Sequence, residues 1–555
     1  MAVVDHILPQ RYWAWTACIL ATPASLALAP VSDAFLALGG VAGILSIVGW
    51  IDFRQPRQAI RRNYPVLAHF RFFFEYIRPE IRQYLLEADT EETPFSRAQR
   101  SLVYQRSKGD EDKLAFGTKR DPYAEGYEWI NHSLAPVGLK SHDFRVDVGG
   151  AACARPYSAS VFNISAMSFG SLSANAILAL NAGARRGNFY HDTGEGSISR
   201  HHRVNGGDLV WEIGSGYFGC RGADGRFDDD AFARNAESEQ VRMIEIKLSQ
   251  GAKPGHGGVL PGPKVSAEIA EARGVPQGVE CISPASHSAF TTPLELLAFV
   301  ARLRQLSGGK PVGIKFALGH PWEWFALVKA MLQTDTTPDF IVVDGGEGGT
   351  GAAPLEFADH VGGPLREGLL LIHNTLVGAN LRDRVRVAAS GKIITAFDIA
   401  RAMALGADWC NAARGFMFAL GCLQAQVCHT GKCPTGVTTQ DPKRMRALDV
   451  PDKSERVWQF HQSTLHALGE LVGAAGLQHP RDIGPEHIIR RISSTEVRSL
   501  AALYPWLAPG DLLHSVPEHP VFRLFWEQAR AETFAAQDLS LVQYRAGAWR
   551  GVSRA

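Results

Sequence analysis

The sequence predicts an α/β chain organised as a (β/α)8 TIM barrel, with an N-terminal transmembrane helical hairpin and helical extensions. Three observations carry this. From about residue 150, short apolar runs alternate with helical stretches, eight times over. Glycine-rich or charged segments follow most of those runs, where a barrel keeps its active site. Two long stretches without a charge stand near the N-terminus.

Residues 12–32 carry no charge, Asp33 follows, and 34–51 carry none. Each stretch is about the length that a helix needs to cross a bilayer. Trp13, Trp15 and Trp50 lie near the ends, where interfacial aromatics gather, and Pro30 and Asp33 mark the link between the stretches. The basic run Arg54, Arg57, Arg61, Arg62 puts the larger C-terminal part in the cytoplasm by the positive-inside rule. The expectation is a multi-pass anchor in the inner (cytoplasmic) membrane; two buried core helices are the alternative. Segment 61–87 mixes aromatics with arginines and reads as an amphipathic helix on a membrane surface or on the barrel. The expected organisation is a hairpin over 1–55, a connecting region over 56–150, the barrel over 151–475 and a helical extension over 476–555.

The expected strands are 161–167, 188–192, 244–248, 281–283, 312–317, 340–343, 385–389 and 409–412, with helices over 293–306, 322–333 and 396–405. Strand–helix alternation argues for a parallel sheet, and eight units argue for closure. An open doubly wound sheet is the rival, but no G-x-G-x-x-G follows the first strand.

Composition narrows the function. Lys plus Arg is 57 against 56 for Asp plus Glu, so nothing advertises a nucleic-acid partner. Eight cysteines, three of them within twelve residues, do not form a secreted disulfide framework in a chain this long. One cysteine-bound cofactor in a reducing compartment fits better.

The loops carry the chemistry. Gly391 with Lys392 and Arg414 with Gly415 follow the last two strands, the phosphate position of this barrel. The run around Gly349, Thr350 and Gly351 suits close approach of a planar ring, with a plain flexible loop as the alternative. Lys315, at a strand end, suits charge stabilisation on a reduced flavin, a Schiff base or pairing to a carboxylate. Cys422-x5-Cys428-x4-Cys433-Pro434 is the sharpest signal, since thiolates this close bind soft metals. Three ligands suit a three-iron cluster. Zinc completed by His429 is a rival, and three unligated buried cysteines are the plain alternative.

These loops resemble the FMN-binding synthase domain of the glutamate synthase large subunit. The resemblance rests on Ser165-Ala-Met-Ser-Phe-Gly-Ser171, Thr193-Gly-Glu-Gly196, Gln250-Gly-Ala-Lys-Pro-Gly255, Gly349-Thr-Gly-Ala352, Gly421-Cys-x5-Cys-His-x3-Cys-Pro434 and Thr439-Gln-Asp-Pro442, and covers about 150–475. It implies FMN held by Met167, Ser168, Gln250, Lys315, Gly349, Thr350, Gly351, Gly391, Lys392, Arg414 and Gly415. It implies a [3Fe-4S] cluster on Cys422, Cys428 and Cys433, with Glu195, Gln250, Lys253, Arg273 and Lys315 as the reacting set. The implied reaction reduces 2-iminoglutarate, formed from 2-oxoglutarate and ammonia, to glutamate. An external donor, a ferredoxin or a reductase subunit, would feed the electrons, because no NAD or FAD fingerprint is present.

Several features depart from the family pattern. The chain opens Met1-Ala2-Val3, so a glutaminase with an N-terminal cysteine is not expected, and ammonia must come free or from a partner. The glycine-rich C-terminal β-helix of full-length synthases is not expected either. His256 replaces a carboxylate in Lys253-Pro-Gly-His-Gly-Gly258, Gly346-Glu347-Gly348 replaces a shorter run, and Arg414 is added. These changes face the substrate. The sequence resembles stand-alone, membrane-anchored glutamate synthase-like proteins, and a membrane-linked flavin oxidoreductase acting on another amino acid or 2-oxo acid is the alternative. A non-redox zinc scaffold is the third reading.

Overall fold

The computed structural model describes residues 9–88 and 94–536, which fall into two compact units, Met1–Arg97 and Ala98–Ala555. The last part of the expected C-terminal extension, 537–555, lies outside the described residues.

In the first unit, helices Trp13–Leu28 and Asp33–Arg54 pack on each other. Trp15 donates to the Ser46 carbonyl at 3.0 Å and stacks on Phe53. Ser32 caps the second helix through the Ala34 amide. Among the described residues, Asp33–Arg54 is long and apolar enough to cross a membrane, whereas Trp13–Leu28 has 16 residues. Helix Ala68–Ile81 follows, with Phe70, Phe73, Phe74 and Tyr76 exposed. Buried Asp52 accepts from the Val66 amide at 3.1 Å and pairs with His69 at 2.8 Å, so the end of the second helix fixes the start of the third.

The second unit is built on a closed parallel barrel of eight strands. These are β1 (Phe162–Ile164), β2 (His191–Asp192), β3 (Leu209–Ile213), β4 (Val241–Lys247), β5 (Val312–Phe316), β6 (Phe340–Asp344), β7 (Arg386–Ser390) and β8 (Trp409–Ala412). β8 pairs with β1 through Asn411↔Asn163 and closes the ring. Helices Pro293–Leu306, Pro321–Thr334 and Ala396–Ala404 lie where the sequence places them. Thr292 with Glu295 and Thr395 with Asp398 form reciprocal caps at two of their starts. Helix Val450–Ala474 packs against Ala174–Gly187, and its buried His461 reaches the Phe162 carbonyl at 3.0 Å.

Two strand assignments need correction. Residues 281–283 are not the fourth barrel strand: Cys281–Ile282 pairs antiparallel with Val259–Leu260 in a small ladder outside the barrel. The strand that sequence reading misses is β3, Leu209–Ile213, all five residues of which are buried. Glu212 interrupts its apolar run and makes it read as surface. The expected 244–248 strand is therefore part of β4, and the loop carrying Gln250 and Lys253 follows the fourth strand, not the third.

Candidate active site

The pocket at the C-terminal strand ends is lined by Glu195, Ser215, Lys247, Ser249, Gln250 and Lys253, together with Pro284 and Ala285. Glu195 comes from the loop after β2, and Lys247 is the last residue of β4. Their side chains form an ion pair at 3.0 Å. Burial pushes the Glu195 carboxyl up, but Lys247, then Arg273 and Lys253, outweigh it, and the group stays ionised below the usual range. Burial pulls the Lys253 ammonium down, with Glu195 partly restoring it. Arg273 is buried beside Glu195, where its guanidinium donates to the Phe169 carbonyl at 3.3 Å and lies 5.0 Å from the Phe218 ring centre. Its Nε has no partner. Three cations thus surround one carboxylate, and two positive charges remain uncompensated.

The loop after β4 is held by its own backbone. The Gly251 amide donates to Asp344 at 2.8 Å, and a Cβ at Gly251 would overlap the Gly345 carbonyl oxygen. Only glycine allows the loops after β4 and β6 to meet here. His256 stands edge-on to Phe357 with ring centres 5.0 Å apart.

Lys315 does not join the pocket. It lies inside the barrel with its ammonium 2.7 Å from Glu212 and 3.8 Å from Glu245. Burial opposes its charge, but Glu212 and Glu245 more than compensate and hold it charged. That removes the Schiff-base reading, which needs a neutral amine, and makes the carboxylate-paired reading the observed one.

The loops expected to hold a flavin converge from β6, β7 and β8. Arg414 donates to the Thr350 carbonyl at 3.1 Å, and a Cβ built on Gly349 would come within 3.2 Å of the same guanidinium. Gly391 lies against Leu365 and the Glu347 carboxyl. Lys392 adopts left-handed backbone, φ 49°. Met167 is buried after β1, with Ser168 hydrogen-bonded to Ser171 beside it, and Gly415 is buried at the start of the helix after β8. Backbone without side chains, next to a fixed cation and a buried thioether, fits a planar ring carrying an anionic tail.

The cysteine loop is tied to these same loops. A Cβ on Gly351 would lie 3.6 Å from that of Cys428. Lys264 donates to the Cys428 carbonyl at 2.9 Å, and Tyr104 donates to that of Cys422 at 2.6 Å. Gln440 donates to the carbonyls of Gly170 and Leu172, so the Thr439-to-Pro442 motif clamps the cysteine loop to the loop after β1. Cys422 and Cys433 are buried, and Cys428 and Cys433 both act on the Cys422 thiol. The Gln424 amide donates to the Cys422 sulfur at 3.5 Å, and Thr435 lies 3.5 Å from that of Cys433. Neighbouring N–H and O–H groups are what cluster thiolates use. Among the described residues, no group of three or more cysteine and histidine ligand atoms lies mutually within 4.8 Å. The three sulfurs are thus not all within 4.8 Å of one another, and His429 is exposed.

Sequence reading misses Lys247, Ser215 and the acids inside the barrel. The available signal is parity: Glu245 and Lys247 occupy alternate positions of the strand Val241–Lys247, so both face one side, and Arg242 falls on the other.

A closed parallel barrel with a cationic pocket and convergent glycine-rich loops at its C-terminal ends defines an enzyme of the (β/α)8 class. Residues 150–478 match the conserved region in glutamate synthase. The chain belongs to the glutamate synthase family of oxidoreductases. It is 38% identical over 498 residues to the glutamate synthase large subunit-like protein YerD of Bacillus subtilis (strain 168), covering 82% of this chain and 94% of that one. It is 35% identical over 315 residues to the archaeal glutamate synthase (NADPH) of Methanocaldococcus jannaschii, covering 57% and 58%. With the glutamate synthase (NADPH) large chain of Bacillus subtilis (strain 168) it shares 33% identity over 342 residues, covering 59% of this chain and 21% of that one.

Proposed function

We propose that the chain reduces 2-iminoglutarate, formed from 2-oxoglutarate and ammonia, to glutamate, with FMN in the converging loops and an iron–sulfur cluster on Cys422, Cys428 and Cys433. The observation that carries this is the pocket charge. Lys247, Lys253 and Arg273 face one carboxylate, Glu195, which leaves two positive charges for a substrate with two carboxylates. Lys253 and Arg273 would bind the substrate carboxylates. Glu195 keeps Lys247 oriented, and Gln250 at the pocket wall offers an amide to the reacting end. The flavin, when bound, supplies the hydride. Met167, Ser168, Gly349, Thr350, Gly351, Gly391, Lys392, Arg414 and Gly415 would hold it, with Lys315 charged in the barrel beneath. Electrons come from an external donor, a ferredoxin or a reductase subunit, and ammonia arrives free or from a partner.

The apolar helix Asp33–Arg54 with the arginines that follow it supports membrane attachment through the N-terminal hairpin, with the barrel on the cytoplasmic side. A second reading is oxidation of a different amino acid with electrons passing toward the membrane. It is favoured by His256 against Phe357, an aromatic contact at the loop where a carboxylate is expected.

The test is an anaerobic assay with reduced donor, 15N-ammonium and 2-oxoglutarate. Labelled glutamate is expected. No label in glutamate from cofactor-loaded protein, with turnover of another 2-oxo acid or amino acid, selects the second reading.

A further inference from the structure

Beneath the pocket, the barrel interior holds four ionisable groups sealed from water. Asp192 of β2, Glu212 of β3, Glu245 of β4 and Lys315 of β5 are each 4% exposed or less. One oxygen of each carboxylate lies within 4.8 Å of the others. The Lys315 ammonium sits 2.7 Å from Glu212 and 3.8 Å from Glu245. Asp192 accepts from the Gly194 amide at 3.0 Å. Glu245 Oε1 has no hydrogen-bond partner although it is fully enclosed. Two further groups face the cluster. Asp344, at the end of β6, acts on Lys315 and accepts from the Gly251 amide. The Tyr190 phenol, beside Glu245 and Asp192, is committed to Asn411 at 2.6 Å and to the Trp409 indole at 2.8 Å.

The charge count does not close. One ammonium cannot neutralise three carboxylates, and adjacent like charges in a dry space cannot all ionise. A metal ion is a poor remedy, because the Lys315 ammonium already lies between Glu212 and Glu245. A proton is the remaining one. We propose that Asp192, Glu212, Glu245 and Lys315 form one proton-sharing unit that keeps a carboxylic acid at neutral pH and takes up a further proton when negative charge arrives at the strand ends above. Burial, then the neighbouring carboxylates, push the Glu245 carboxyl well up and Asp192 to about 7. The adjustable charge is thus on the acids, and Lys315 stays an ammonium throughout.

The redox consequence rests on the proposed function. A flavin held at the strand ends, when bound, would take two electrons from the external donor with one proton from solvent and so bring one negative charge. A second solvent proton then adds to an ionised carboxylate of the unit, Asp192 at neutral pH. Atoms and charge balance as two electrons and two protons taken up.

Difference infrared spectroscopy of the purified full chain, between about pH 5 and about pH 9 in H2O and D2O, tests the unit itself. A buried carboxylic-acid carbonyl band that shifts in D2O, fades as pH rises through neutrality and weakens in Asp192→Asn or Glu245→Gln is expected. No such band in the wild-type protein at the acid end overturns the proposal, and this holds even if neither variant folds. A band unchanged in both folded variants overturns it too. In flavin-loaded protein, the midpoint potential should follow pH with one proton per electron in a window that opens near neutrality, where Asp192 is ionised before reduction, and with one per two electrons on the acid side of it. One proton per two electrons at every pH overturns the coupled uptake. Failure to bind flavin sinks the proposed function, while the infrared band still decides the unit.

Discussion

Lys253 is the residue on which the pocket argument turns. It is 7% exposed and carries a charge that Glu195 only partly offsets. Charge-assisted hydrogen bonds to a carboxylate contribute roughly 1.5–3 kcal/mol. Lys253→Met should therefore raise KM for the 2-oxo acid by about one to two orders of magnitude, with a smaller change in kcat, as initial-rate kinetics will show. Asp192 makes a different prediction. Its folded pKa, about 7, is above the ordinary aspartate value of 3.8. The stability tied to its proton is fully present below about pH 4 and is lost as pH rises toward 7. Thermal melts of Asp192→Asn should show a flatter decline across that window than the wild type, and an equal decline contradicts the assignment. Gly251→Ala introduces a methyl group into the Gly345 carbonyl. Overpacking of this kind costs about 1–3 kcal/mol, measurable as a lowered denaturant midpoint.

At the scale of elements, legibility followed chemistry. The loops after β2, β4, β6, β7 and β8 announced themselves by clustered glycines and charges, because backbone that must approach a ligand or another loop excludes side chains. The Gly251 contact with Gly345 is a direct case. The Thr439-to-Pro442 motif could be seen in the sequence, but its work as a clamp on the first loop could not, since Gln440 reaches Gly170 across 270 positions. The strands were harder. β3 does not show in the sequence because Glu212 breaks the apolar run that signals a buried strand; its partner, Lys315, lies 103 residues away. Cys281–Ile282 reads as a strand of the barrel because a short antiparallel ladder has no pattern of its own. The pair also predicts behaviour: Lys315→Met leaves buried carboxylates uncompensated and should lower stability by about 3–5 kcal/mol, read from chemical denaturation of the apoprotein. A change within experimental error contradicts the burial argument.

At the scale of the whole molecule, the two units carry different claims. The catalytic claim belongs to Ala98–Ala555, where barrel, pocket and cysteine loop are joined by named hydrogen bonds. The membrane claim belongs to Met1–Arg97, where Leu20, Val31, Leu36, Val41, Ile44 and Ile47 are exposed along the helical pair. Large exposed apolar surface of this kind calls for a cover. The full chain should sediment with membranes and resist extraction by high salt and carbonate but not by detergent; release by salt alone contradicts a spanning hairpin.

The central claim is that this family barrel holds a flavin next to a three-cysteine iron–sulfur site. The most direct measurement is the absorption spectrum of anaerobically purified protein, with flavin, iron, sulfide and zinc analysis of the same sample. Flavin bands over a broad cluster absorption, with one FMN and about three irons per chain, are predicted from the three thiols of the loop. A colourless protein, or one carrying zinc in place of iron, contradicts the account.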